Sequence, residues 1–148
     1  MAPSPRPVPV PPEIIDAFRD VAPAVERFAR EHELLIERYR RGKPAWELRF
    51  AREVGGEAVI TLSYRERTGH VLDLSATWWL DDHDTRTRRL RSDKVAVYDR
   101  RAGSLVLLDQ LGEALRRIDS WTVDDLGPPR GPFPAWTGAS SEPSLTRR

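Results

Sequence analysis

The sequence predicts an α+β domain with an N-terminal helix, an antiparallel β-meander of four to five strands, and a C-terminal helix packed on one face of the sheet. Apolar residues recur at near-helical spacing after Pro12 and again after Ser104. Between residues 46 and 80 apolar and polar residues alternate instead, which is the pattern of half-buried strands. Helices at both ends of the chain can then cover the same face of the sheet.

The first helical stretch is interrupted by a proline. Its apolar residues are Ile14, Ile15, Phe18, Val21, Val25 and Phe28, and Pro23 lies among them. Either a short helix ends near Asp20, or Asp20 caps a second helix that carries Pro23 in its first turn, where proline is tolerated. The sequence favours two helical pieces with a break near residues 20–22.

Three strands follow from the alternation. The inward residues are Trp46, Leu48 and Phe50 in the first, Ala58, Ile60, Leu62 and Tyr64 in the second, and Leu72, Leu74, Ala76, Trp78 and Leu80 in the third. Turns at Gly55–Gly56 and Thr68–Gly69 are short, so the strands are expected to pair as antiparallel hairpins. Thr85 to Arg91 is predicted as a charged edge strand, and Lys94 to Tyr98 as a further short strand or a connector.

The C-terminal helix is predicted to begin at a Ser104 cap and to bury one stripe of residues: Leu108, Leu111, Leu115 and Ile118. The domain is expected to span residues 13–126. Residues 1–12 and 127–148 are rich in proline, with glycine and serine added in the second, and both are predicted to be disordered tails.

Composition narrows the function classes. The 148 residues carry 24 basic and 23 acidic side chains, a net charge of +1, which lacks the basic excess typical of nucleic-acid binders. With no cysteine, thiolate zinc sites, thiol nucleophiles and disulfides are excluded. Neither a signal-peptide core nor an apolar run of membrane-spanning length is seen, so a cytoplasmic protein without membrane contact is expected.

The adjacent tryptophans Trp78 and Trp79 must point to opposite faces of their strand. If Trp78 joins the core, Trp79 lies on the outer face near Asp73, Ser75 and Thr77. An exposed tryptophan there can anchor a protein partner, because tryptophan is enriched among interface hot spots. The alternative is that a tail, a loop or a second subunit covers it.

An arginine-rich region follows that strand, with Arg86, Arg88, Arg89 and Arg91 at its centre. Lys94, Arg100 and Arg101 extend it. It fits an edge protected against aggregation, a docking patch for an acidic partner, or a phosphate contact. Aromatic residues do not interleave with these arginines, as single-strand nucleic-acid binding would favour. Nucleic acid is therefore the least favoured of the three.

Two further groups of residues are candidates. Asp81, Asp82, His83 and Asp84, with Asp73 and His70, are potential acid–base or ligand groups, but adjacent residues do not converge as metal ligands must, and a solvated turn is the simpler interpretation. Phe133 and Trp136 lie in the C-terminal tail and are expected either to dock on the domain, over Trp79, or to act as a linear motif.

Together these features predict a non-enzymatic protein-binding domain that uses the outer sheet face around Trp79 and the edge from Arg86 to Arg91. No catalytic residue, metal or cofactor is predicted, and the partner is another protein or a second copy in a homodimer. A small enzyme or ligand-binding domain with an Asp/His site is the alternative, followed by nucleic-acid binding through Arg86–Arg101. The order of elements resembles that of many small bacterial domains, including chaperone-like and toxin-immunity proteins, but architecture does not imply function.

Overall fold

The computed structural model describes residues 12–40, 43–64 and 71–133. The predicted turn at Thr68–Gly69, His70 and Trp136 lie outside these residues. The elements in chain order are α1 (Pro12–Glu31), β1 (Leu35–Arg40), β2 (Lys43–Ala51), β3 (Glu57–Tyr64), β4 (Val71–Asp82), β5 (Thr87–Asp99) and α2 (Ser104–Ser120). The predicted α+β class, with the sheet between two terminal helices, is confirmed.

The five strands form one antiparallel sheet in the order β1-β2-β3-β4-β5. Each strand pairs with its neighbour in sequence. The predicted hairpin pairing of β2 with β3 and of β3 with β4 is confirmed, whereas β1 was not predicted as a strand. Leu62 of β3 lies opposite Trp46 on one side and opposite Leu74 on the other. These cross-strand rows give the sheet one continuous apolar face.

Both helices contribute to the core on that apolar face. The largest fully buried side chains come from the sheet and from α2, with one from α1: Trp78, Phe50, Leu48, Ile60, Leu62, Leu72, Leu74, Leu107, Leu111, Ile118 and Val25. The rings of Phe18 in α1 and Trp46 in β2 stack with their centroids 6.0 Å apart. The opposite face, called the outer face below, is where the polar residues of the alternation lie.

Helix α1 runs without a break through Pro23, where the sequence favoured two pieces. Its buried residues lie on both sides of the proline: Phe18, Val21, Ala24, Val25, Phe28 and Ala29. Proline costs about 3 kcal/mol inside a helix. Burial of this apolar stripe offsets that cost. Pro23 is exposed, and so is Arg19, the residue whose carbonyl lacks a helical donor because proline has no N–H.

The predicted edge strand and the predicted connector after it form one 13-residue strand, β5. Leu74 pairs with Ala96, whereas Ser75 pairs with Lys94, so Val95 is an extra residue in a β-bulge. The bulge breaks the period-two pattern in mid-strand, which is why the two halves look like separate elements in the sequence.

Helix α2 differs from its prediction in one turn. Gly103 is the N-cap and Ser104 is the first helical residue, without a side-chain capping bond. Leu107 is fully buried, and Leu108 packs at the edge of the core. The buried stripe thus begins at Leu107 and not at Leu108, because both positions satisfy helical spacing to Leu111, while Leu111, Leu115 and Ile118 are buried as predicted.

Candidate functional site

The outer face of the sheet is built from the polar half of the strand alternation. In β4 it carries Asp73, Ser75, Thr77, Trp79 and Asp81, while the residues between them point into the core. Neighbouring outer residues engage one another across strands. The hydroxyls of Thr77 and Ser92 lie 2.8 Å apart, and the Lys94 ammonium lies 3.2 Å from Asp73. Within the described residues, both helices pack on the other face.

Trp79 is half-buried on this outer face. The guanidinium carbon of Arg88, from β5, lies 5.3 Å from the centre of the indole, and that of Arg49, from β2, lies 5.6 Å from it. Leu90 is its direct partner on β5 and Glu57 its partner on β3. The indole is thus flanked by cations from strands on both sides of β4, an arrangement that favours cation–π attraction.

Arg49 is the most buried cation of the outer face, with 10% of its side chain exposed. Its Nε and Nη2 each lie 2.5 Å from Oε1 of Glu57, and its Nη1 donates to Oε2 of Glu37 at 3.2 Å. Burial by itself would lower the pKa of this guanidinium, but the carboxylates of Glu57 and Glu37 more than offset that effect and raise the pKa. Arg49 therefore links β1, β2 and β3 through paired charges.

Sequence reasoning did not select Arg49, Glu57 or Glu37. The alternation of β2 places Arg49 on the face opposite Leu48 and Phe50, which was the available signal. Strand register was the missing information, because only the register brings Glu37 and Glu57 to Arg49 from either side.

The four arginines of the predicted edge lie in three different places. Arg88 points to the outer face and forms a bidentate pair with Asp81, with contacts of 2.6 and 3.0 Å. Arg86 is exposed in the β4–β5 turn with a φ of 57°. Arg89 and Arg91 belong to the helix-covered side, because their partners in the register are Leu80 and Trp78.

Arg89 and Arg91 make structural contacts there. Arg89 donates to the backbone carbonyls of Val123, Leu126 and Gly127 at 2.9–3.2 Å. Arg91 donates two hydrogen bonds to the carboxylate of Asp93, and its guanidinium carbon lies 5.2 Å from the centre of the Trp121 ring. These two side chains hold residues 121–127, which follow α2, against β5.

Most of the basic region between residues 86 and 101 is neutralised internally. Each of five basic residues has a carboxylate partner: Arg88 with Asp81, Arg91 with Asp93, Lys94 with Asp73, Arg100 with Asp20, and Arg101 with Asp99. A phosphate backbone would have to compete with those carboxylates. The arrangement therefore favours a structural role over a phosphate-binding stripe.

The Asp81–Asp84 cluster lines an open cavity of about 540 Å³ with His83, Arg89 and Pro129. Two of its carboxylates already have partners. Asp81 forms an ion pair with Arg88. Asp82 accepts hydrogen bonds from the backbone N–H groups of Asp84 and Thr85 at 3.0 and 3.2 Å, a pattern typical of a polar turn. Within the residues described, no three His, Cys, Asp or Glu side chains are placed to hold a metal ion.

The C-terminal segment from residue 127 to residue 133 runs along β5. Backbone hydrogen bonds join Arg130 to Arg88 in both directions, at 2.8 and 2.9 Å. This stretch lies beyond the domain boundary predicted at residue 126. Phe133 is 41% exposed near the β4–β5 turn, with its backbone N–H on the carbonyl of Arg86.

Comparison with known proteins gives no match to any family model, curated protein or solved structure. Among the helices in the described ranges, none combines the length and apolarity needed to cross a bilayer.

Proposed function

We propose that this chain is a non-enzymatic protein-binding domain whose contact surface is the outer sheet face centred on Trp79. The observation that carries the proposal is a half-buried tryptophan, flanked by Arg49 and Arg88, on a face that packs against neither helix in the described part of the chain. Tryptophan and arginine are the residues most enriched at binding hot spots.

The surface around Trp79 combines apolar and hydrogen-bonding groups. Leu90 is the cross-strand neighbour of Trp79 on β5. Leu35 of β1 is the cross-strand neighbour of Arg49, and nearly half of its area is exposed. The hydroxyls of Thr77 and Ser92 lie beside Trp79. This mixture of an amphipathic anchor with a polar surround is typical of non-obligate interfaces.

The charges of this face are paired with one another, as in Arg49 with Glu57 and Arg88 with Asp81. A partner therefore gains little from net charge attraction, and shape, apolar contact and hydrogen bonds supply its affinity. Binding should accordingly depend only weakly on salt concentration, unlike the steep dependence of phosphate recognition. A second copy of this chain is one candidate partner, and a different protein is the other.

The test compares the loss of Trp79 with the loss of an exposed apolar side chain elsewhere on the domain. Wild-type protein, Trp79→Ala and Leu105→Ala are used for affinity capture from extracts of the native host, with quantitative mass spectrometry, because Leu105 is 81% exposed on α2, away from the outer face. A partner retained by Leu105→Ala and lost by Trp79→Ala is then purified and its affinity measured by calorimetry at two salt concentrations.

Sedimentation velocity over a range of concentrations tests self-association with the same variants. The proposal fails if Trp79→Ala and wild type capture the same proteins with the same affinity and have the same oligomeric state. A steep loss of binding to generic DNA or RNA as salt rises would instead support nucleic-acid recognition.

A further inference from the structure

Residues 127–133, with the sequence Gly-Pro-Pro-Arg-Gly-Pro-Phe, run beside the first half of β5 and make an isolated antiparallel bridge between Arg130 and Arg88. Four backbone hydrogen bonds hold this segment, called the edge segment below. Gly127 donates to Leu90 at 2.9 Å, Arg130 and Arg88 exchange two bonds, and Phe133 donates to Arg86 at 3.0 Å. The edge segment thus occupies the strand-pairing groups of β5 between Arg86 and Leu90.

The donors of the edge segment recur every third residue, at Gly127, Arg130 and Phe133, whereas their acceptors on β5 recur every second residue. Three of the four residues between those donors are prolines, which have no N–H. The segment therefore carries its donors almost only where β5 offers carbonyls. Its other side offers few donors to a further strand, so it also closes this edge of the sheet.

The fit is close at the two glycines. A Cβ at Gly131, where φ is +122°, would lie 2.7 Å from the carbonyl oxygen of Arg86, and a Cβ at Gly127 would lie 3.1 Å from that of Leu90. The first distance is shorter than real contacts allow, and its obstacle is backbone, which cannot rotate away. Glycine is therefore required at position 131 for the segment to approach β5 this closely.

The side chain of Arg89 fixes the start of the edge segment. Its guanidinium donates to the backbone carbonyls of Val123, Leu126 and Gly127. These bonds are made by β5 itself and orient the chain as it arrives at the edge. The pairing edge and the arginine that orients the segment therefore both belong to β5, and residues 127–133 lie against them.

We infer that the β5 edge between Arg86 and Leu90 is a recognition site for extended proline-rich segments of the pattern Gly-Pro-Pro-Xaa-Gly-Pro, and that residues 127–133 occupy it as a built-in competitor. A tethered segment has a high effective concentration, so it keeps the site closed to weaker ligands. A partner that carries the same pattern gains access when the edge segment leaves. This site uses the backbone of β5 residues such as Arg88 and Leu90, whose side chains border the Trp79 surface, but neither inference requires the other.

The experiment weakens the edge segment in the full-length chain and supplies its sequence as a separate peptide. The double variant Arg130→Pro/Gly131→Val removes the N–H that donates to Arg88 and adds a side chain that meets the Arg86 carbonyl. Arg130→Ala is the matched control, because it removes the same side chain but keeps the backbone N–H. The probe is a fluorophore-labelled peptide of residues 127–133, and the readout is fluorescence anisotropy.

We expect the double variant to bind the peptide at least tenfold more tightly than wild type or Arg130→Ala, since only the double variant has lost its competitor. A peptide that itself carries Gly131→Val should not bind. Equal peptide affinity in all three proteins, or equal binding of the substituted peptide, would overturn the inference.

A measurement on the wild-type chain guards against misfolding of the double variant. Hydrogen exchange followed by NMR should show that the amides of Arg88 and Arg130 are both protected in the wild-type protein. The Arg88 amide should exchange faster in the double variant, where the pairing is lost. If both amides of the wild-type protein exchange at the rate of exposed backbone, the edge segment is not bound to β5 and the inference fails. In the Trp79→Ala variant their protection should be unchanged, which separates this result from the proposed function.

Discussion

Trp78 and Trp79 are joined by one peptide bond and lie on opposite sides of the sheet. Trp78 is fully buried, with its indole N–H donating to the carbonyl of Gly55 at 2.9 Å and the guanidinium of Arg52 lying 4.2 Å from its ring centre. Trp79 lies among charged side chains on the outer face. One residue thus packs in the core, and the other lies on the outer face of the sheet.

The first prediction concerns these two residues. Trp78→Ala should lower the free energy of unfolding by about 3–5 kcal/mol, because a large buried side chain leaves a cavity. Trp79→Ala should cost about 1 kcal/mol, the loss of partly exposed cation–π contacts. Urea denaturation of both variants measures the difference, and equal losses would mean that Trp79 is a core residue.

A second prediction concerns the charge pairs of Arg49. Arg49→Met leaves the carboxylates of Glu57 and Glu37 without their buried partner, so the free energy of unfolding should fall by about 3 kcal/mol. Arg27→Met is the control, because Arg27 and Glu31 form an exposed pair on α1. That substitution should cost no more than about 0.5 kcal/mol. Similar losses in the two variants would contradict the buried role of Arg49.

The third prediction is a pH dependence at Tyr98. Burial raises the pKa of its hydroxyl, with further rise from the carboxylates of Asp20 and Asp99 and opposition from Arg100. The folded state disfavours the phenolate. The contribution of Tyr98 to the free energy of unfolding is therefore complete below the unfolded pKa of about 10 and declines as pH rises above it.

Tyrosine labelled with ¹³C at Cζ allows the Tyr98 titration to be followed by NMR, and its midpoint should lie above the ordinary value. In Tyr98→Phe the loss of stability at alkaline pH should be shallower than in wild type. A Tyr98 midpoint at or below that of a free tyrosine would show that the hydroxyl is solvated.

The fourth prediction contrasts two glycines. Gly112→Ala should raise the free energy of unfolding by about 0.5–1 kcal/mol, since alanine favours the helix and its Cβ would meet only the flexible tip of Arg116, at 3.4 Å. Gly56→Ala should instead destabilise the domain, because φ is +74° and the added Cβ would lie 2.1 Å from the carbonyl oxygen of Trp79. Thermal unfolding of the two variants gives both signs, and a destabilised Gly112→Ala would indicate close packing at that position.

The amino-acid sequence by itself determined strands β2, β3 and β4 and which of their residues face the core, but it did not predict β1. Alternation from Trp46 to Leu80 sufficed because side-chain direction in a strand repeats every two residues, and the same rule separated Trp78 from Trp79. It also determined that these three strands pair as antiparallel neighbours, because short turns connect strands in that way. These properties are local, and local spacing encodes them.

Tertiary structure decided what depends on distant partners. Pro23 lies inside a continuous helix because the buried stripe of α1 offsets the cost, and the bulge at Val95 joins two apparent elements into β5. Arg49 gains its carboxylates only through strand register, and Arg89 meets the residues 123–127 only because the chain returns to the sheet edge. Each of these depends on residues far apart in the chain, for which the spacing of neighbours carries no information.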